Sequence, residues 1–134
     1  IKKGSKDDEP WAELSVEEKE KKSQKRMMKQ YPDLNKNDEA IMNLIDIINF
    51  SKKNNVELIV IKMPITKEYH DLISNIDLGL DSLLQLYNIK YYDFRDLYLQ
   101  ENTYFRDQDH LNGEGADSLA LIFDKIINNN ESYK

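Results

Sequence analysis

The stretch Val56-Glu57-Leu58-Ile59-Val60-Ile61-Lys62-Met63, closed by Pro64, constrains the fold more than any other. Its nearly continuous apolar and mostly β-branched residues predict a strand buried on both faces, as strands of a parallel sheet are. Leu72, Ile73, Ile76, Leu80, Leu83, Leu84 and Tyr87 then keep helical spacing, which predicts a helix over about 68–87. Gly79 weakens the middle of that helix by about 1 kcal/mol relative to alanine and marks where it would kink or break. Ile89-Lys90-Tyr91-Tyr92-Asp93-Phe94 predicts a second strand, rich in aromatic residues. Two strand-and-helix units with right-handed crossovers place both strands parallel in one sheet. Ligands of such sheets bind beyond the carboxyl ends of the strands, and Pro64-Ile65-Thr66 and Arg95-Asp96 would project there.

Upstream, Ile41, Leu44, Ile45 and Ile48 fall on one helical stripe, widened by Ile47 and Phe50, which suits a helix packed on a sheet. Asn54-Asn55 ends it. Residues 1–36 are polar and charged. Ser15 followed three positions later by Glu18 is a capping-box signature, with acidic residues in the first turn and basic ones in the last, so a helix is predicted over about 16–30. Its thin apolar face leaves two roles open. It is either a solvated helix connecting parts of a larger domain or an interaction helix docking through Trp11, Leu14, Met27 and Met28. The chain thus divides into a charged helical segment, 1–36, and an α/β region, 37–134.

The length of 134 residues suits one domain, and 40% hydrophobic with 33% charged residues is the balance of a globular protein with a solvated appendage. No apolar run approaches the roughly 18 residues of a membrane span, and the first residues lack a signal-peptide core. A chain opening on Ile1 rather than Met is expected of a mature form or an excised piece. The absence of cysteine excludes disulfides, thiolate zinc sites and cysteine nucleophiles. A net charge of −6 argues against a general nucleic-acid binder.

Chemistry concentrates in Tyr104-Phe105-Arg106-Asp107-Gln108-Asp109-His110-Leu111-Asn112-Gly113-Glu114-Gly115-Ala116, read as a loop entering an amphipathic helix with Leu119, Ala120, Phe123 and Ile127. An imidazole becomes a general base when a carboxylate holds one ring nitrogen and leaves the other free to take a proton. Asp107 and His110, three residues apart in a turn, can stand in that relation. Asp109 and Glu114 add negative potential that favours an imidazolium. Asn112 is a good N-cap for the helix. A structural alternative has Asp107 capping the turn while His110 meets a backbone carbonyl. The same acidic span also raises a divalent-ion site, but an EF-hand would need a ligand at Leu111 and a glycine at Asn112, and no metal or cofactor is assigned.

The block Asp107-x-x-His110-Leu111-Asn112-x-x-Gly115-Ala116, after a strand and ahead of the last helix, resembles the final motif of the SGNH (GDSL-type) esterase and acyltransferase superfamily. The order of elements from about Asp38 to Asn130 is similar to the C-terminal half of that fold, particularly in the branch that includes the D-alanyl-lipoteichoic acid biosynthesis protein and related cell-envelope proteins. The resemblance implies a three-layer α/β/α domain with a parallel, flavodoxin-like sheet, represented by its C-terminal part. It also implies a triad in which Asp107 orients His110 and His110 activates a serine.

The family's Gly-Asp-Ser block and its oxyanion-hole residues have no counterpart here. Gly4-Ser5 follows no buried strand, so Ser5 is a poor nucleophile, and Ser74, Ser82 and His70 read as surface residues. The resemblance therefore implies part of an esterase or O-acyltransferase lacking an identifiable serine, acting on an ester-bearing small molecule or envelope glycan. The alternative is a non-catalytic binding or scaffolding module of the cell envelope. Either implies an extracytoplasmic or envelope-associated setting. Two strands alone would leave sheet edges open to self-association.

Overall fold

A computed structural model of the chain describes residues 9–32, 38–76 and 78–129. Ser5 lies outside them. A 3-10 turn, Trp11–Glu13, leads into helix α1, Val16–Gln30, through the expected reciprocal cap. Glu18 N donates to Ser15 Oγ at 3.3 Å, and Ser15 N donates to Glu18 Oε2 at 3.1 Å. The segment docks on the rest of the chain. Trp11 and Leu14 are buried with Phe94, Tyr98, Phe105, Leu119 and Ile126 in the larger core, while Met27 packs against a smaller cluster of Ile65, Tyr69 and Ile73. Met28 is not part of the contact and faces solvent.

Helix α2, Asp38–Lys53, buries Ile48 and half-buries Ile41, Leu44 and Ile45, as its stripe predicts. Ile47 and Phe50 do not widen that stripe: both are exposed. The helix closes at Asn55, whose φ of 53° is left-handed, with Val56 N donating to the carbonyl of Ser51 at 2.9 Å.

Strand β1 is shorter than its apolar run, Ile59–Lys62, and pairs in parallel with β2, Lys90–Asp93. Ile59 stands opposite Lys90 and Lys62 opposite Asp93, and Phe94 N continues the ladder to the Lys62 carbonyl at 3.0 Å. Burial on both faces does not hold for β1. All four residues are only half-buried, and Val56 and Met63 at the ends of the run are exposed, because among the described residues the parallel sheet has only two strands and both are edges. The predicted helix over 68–87 is broken into α3, Lys67–Ile73, and α4, Leu80–Leu86. The break falls at Gly79, whose φ of 71° suits a residue without Cβ and sets it as the N-cap of α4. Ile73 and Leu84 are buried, and the other apolar residues of the expected stripe are half-buried.

The stretch read as a loop contains an antiparallel hairpin. Strand β3, Phe105–Asp107, pairs with β4, His110–Leu111, and α5, Gly113–Asn129, follows at once. Leu119 and Ile126 bury the inner face of α5, while Leu121 and Ile127 face solvent. The chain is a mixed α/β protein, mostly helical, with a small parallel sheet and a separate hairpin. Among the described residues no helix is long and apolar enough to cross a membrane.

Candidate functional site

The hairpin makes Asp107 and His110 cross-strand partners, with Gln108 and Asp109 forming the turn between them. His110 Nδ1 lies 2.7 Å from Asp107 Oδ1, so in the neutral tautomer Nδ1–H donates to the carboxylate. The imidazole is half-exposed, and its Nε2 hydrogen-bonds to no described residue. Asp109 N also donates to Asp107 Oδ1, at 3.2 Å, and Arg106 Nε lies 3.5 Å from Oδ2. Burial works to raise the Asp107 carboxyl. The hydrogen bonds from His110 and the Asp109 amide, with the charges of His110 and Arg106, outweigh it and hold the group below the usual carboxylate range.

Asp109 is a second carboxylate beside the same ring, its Oδ1 3.4 Å from His110 Nδ1, but its bonds run elsewhere. Arg26 of α1 grips Oδ2 through Nε at 2.8 Å and Nη2 at 2.7 Å. Gln30, one turn further along α1, donates to Oδ2 at 3.3 Å, and Gln108 donates to Oδ1 at 2.7 Å. The Gln30 amide is itself oriented from α3, because Tyr69 OH donates to its Oε1. Burial, then Tyr31 and the Asp109 carboxylate, push the Tyr69 phenol up to about 12, so the proton needed for that bond stays in place.

Two anchors fix the hairpin. On one side Thr66, in the connection after β1, donates through both N (3.1 Å) and Oγ1 (3.2 Å) to the carbonyl of Gln108. This is the edge toward which the sequence directs Thr66. Arg95 takes a different course: its guanidinium turns back to fork onto Asp93, at 2.9 and 2.6 Å, and its carbonyl accepts from Ile65 N. On the other side Asn112 caps α5, accepting from Gly115 N at 3.0 Å, while its Nδ2 donates to the Thr103 carbonyl at 2.6 Å. A cleft of about 480 Å³ opens beside Asp107, with Trp11, Pro10, Lys22, Arg106 and Asn112 in its walls.

The structure therefore brings Asp107, His110 and the Asn112 cap together as their spacing predicts, and adds Arg26, Gln30, Tyr69 and Thr66, which local spacing does not reveal. None of the described serines hydrogen-bonds to His110. Ser15 caps α1, Ser23 is buried in α1, Ser51 donates to Ile48 O, Ser74 and Ser82 are exposed, and Ser118 is paired with Tyr98 OH at 2.7 Å. His70 is partly buried on α3 rather than fully on the surface, with Nδ1 3.7 Å from the Asp71 carboxylate. Asp107, Asp109 and His110 each place a ligand-type atom within 4.8 Å of the others, but Arg26 already supplies a cation to Asp109. Lys62, at the end of β1, is likewise committed to Asp81 and Asp93.

Compared with known proteins, the chain matches no family model, no curated protein and no solved structure.

Proposed function

We propose that the chain supplies the Asp–His half of an SGNH-type serine esterase or O-acyltransferase, and that residues 37–134 are the C-terminal part of its three-layer α/β domain. The observation that carries this reading is the 2.7 Å contact of His110 Nδ1 with Asp107, with Nε2 left free on a half-exposed ring. A serine hydroxyl placed at Nε2 gives up its proton as its oxygen attacks the ester carbonyl. The imidazolium then returns that proton to the leaving oxygen, and Asp107 fixes the tautomer and stabilises the charge throughout. The substrate class is an ester-bearing small molecule or an envelope glycan, handled outside the cytoplasm. The open edges of β1 and β2 are where missing strands of the domain, or a second copy, would add.

The test is intact-mass analysis after treatment with a fluorophosphonate probe, applied to this chain and to a polypeptide extended upstream, with His110→Ala controls. We expect no label on this chain and a single label on the extended polypeptide that is lost in the variant. A label on this chain would show that it carries its own activated serine, and peptide mapping would identify it.

A second reading, a non-catalytic binding or scaffolding module of the envelope, is favoured by one observation: no described serine bonds to His110. An extended polypeptide that takes no label, together with a His110→Ala variant that keeps its fold and its partner, decides for this reading.

A further inference from the structure

Two carboxylates compete for one imidazole in the hairpin, and their surroundings differ. His110 Nδ1 is 2.7 Å from Asp107 and 3.4 Å from Asp109, so a small rotation of either carboxylate would exchange them. Asp107 projects from β3, and its polar partners among the described residues belong to its own hairpin: His110, the Asp109 amide and, at 3.5 Å, Arg106. Asp109 is held by three side chains. Arg26 and Gln30 of α1 take Oδ2, Gln108 takes Oδ1, and Tyr69 of α3 fixes the Gln30 amide so that its donor side faces the carboxylate. The Asp109 side chain is 11% exposed, which is where an unneutralised carboxylate would be costly.

We propose that Arg26, with Gln30, is a positioning residue for the dyad: by gripping Asp109 it neutralises the second carboxylate and leaves Asp107 as the sole partner of His110. Arg26 lies 83 residues from Asp109 and touches no reacting atom; it acts through Asp109 alone. The consequence is a controlled base. A second unneutralised carboxylate beside an imidazole favours its protonated form, which a base must give up before it can accept a proton, and the Arg26 grip removes that bias. The groups that set this balance are Asp107 and Arg106 on β3, Asp109 in the turn and Arg26 on α1, with Tyr69 of α3 acting through Gln30. The role in catalysis rests on the dyad reading above; the electrostatic arrangement does not.

The test is a pH titration of His110 by NMR in the unmodified chain and in Arg26→Gln, Arg26→Lys, Asp109→Asn and the Arg26→Gln/Asp109→Asn double variant. His70, the other histidine, serves as internal reference. In the unmodified chain we expect the Nδ1–H tautomer above the midpoint. Arg26→Gln is expected to raise the midpoint by about 1 pH unit, the size of effect a newly exposed charge at this range produces. Arg26→Lys is expected to recover most of that change, and the double variant to return close to the starting value. Should Arg26→Gln alone fail to fold, Asp109→Asn and the double variant decide together: Asp109→Asn is expected to lower the midpoint, and removing Arg26 as well must bring it back towards the starting value. Midpoints unchanged by Arg26→Gln in a folded protein, or by Asp109→Asn, overturn the proposal. No substrate enters these measurements, so a failure of the esterase reading leaves them intact, and their failure leaves the probe-labelling test intact.

Discussion

Gly115 and Tyr104 are packed backbone against backbone. A Cβ at Gly115 would lie 2.9 Å from Tyr104 Cβ, closer still to the Tyr104 carbonyl oxygen, and 3.0 Å from Leu111 Cδ2. Asn112 N donates to that same carbonyl at 2.9 Å, so the oxygen cannot move without breaking a bond. The start of α5 is thereby pressed onto the segment that enters β3.

Gly115→Ala is therefore expected to destabilise the protein by about 1–3 kcal/mol, the range for forcing a methyl into filled space. Gly113→Ala, two residues earlier with nothing within 4 Å of its Cβ, is the matched control and is expected to be close to neutral. Urea unfolding of the two variants checks the difference.

Asn112 makes two bonds of different kinds, and substitutions separate them. Asn112→Ala loses the cap and the Thr103 contact together and is expected to cost about 1–2 kcal/mol. Asn112→Asp keeps the acceptor for Gly115 N, adds charge at a helix N-terminus, and loses only the donor to Thr103. It is expected to fall between alanine and the unmodified chain in thermal unfolding.

Trp11 is the single tryptophan and only 1% exposed, so its fluorescence reports the docking of the N-terminal segment. Its emission is expected to be blue-shifted, and its denaturant midpoint to coincide with that from far-UV circular dichroism. Trp11→Ala is expected to cost about 3–5 kcal/mol through lost burial and the cavity left behind. An emission transition well ahead of the backbone transition would show that the segment comes away by itself.

The acid limb of stability carries the signature of Asp107. Its carboxyl is held below the ordinary value, so the folded state binds its proton less readily than the unfolded chain. The contribution is complete above the unfolded value of about 3.9 and is lost as pH falls through the folded one. Asp107→Asn is expected to flatten stability against pH across that acid window. Urea midpoints measured down the acid range, for both proteins, check the sign.

These features differ in how plainly the residues announce them. Ser15 and Glu18 sit three apart and cap α1 reciprocally, because a cap depends only on near neighbours. Gly79 likewise marks the break between α3 and α4, since a left-handed residue is readable where a glycine interrupts an apolar stripe. The pairing of β1 with β2 follows from two β-rich runs separated by a helix. Val56 and Met63 mislead, as an apolar run signals what a strand can bury and not how many strands cover it. The hairpin is hidden because Gln108-Asp109 lacks the glycine or asparagine of the commonest two-residue turns. Of the site, the Asp107–His110 pair is legible from its spacing. The Arg26–Asp109 pair is not, because no local pattern links residues so far apart.

The grip of α1 on the hairpin makes the state of the site a reporter of cooperativity. Hydrogen exchange at α1 amides measures how often that helix opens, and an opening confined to α1 would withdraw Arg26 and Gln30 from Asp109. The electrostatic setting of His110 therefore depends on α1 and the hairpin together, two elements from distant parts of the chain. A substitution that loosens α1 reaches the His110 ring through Asp109 without touching the hairpin itself.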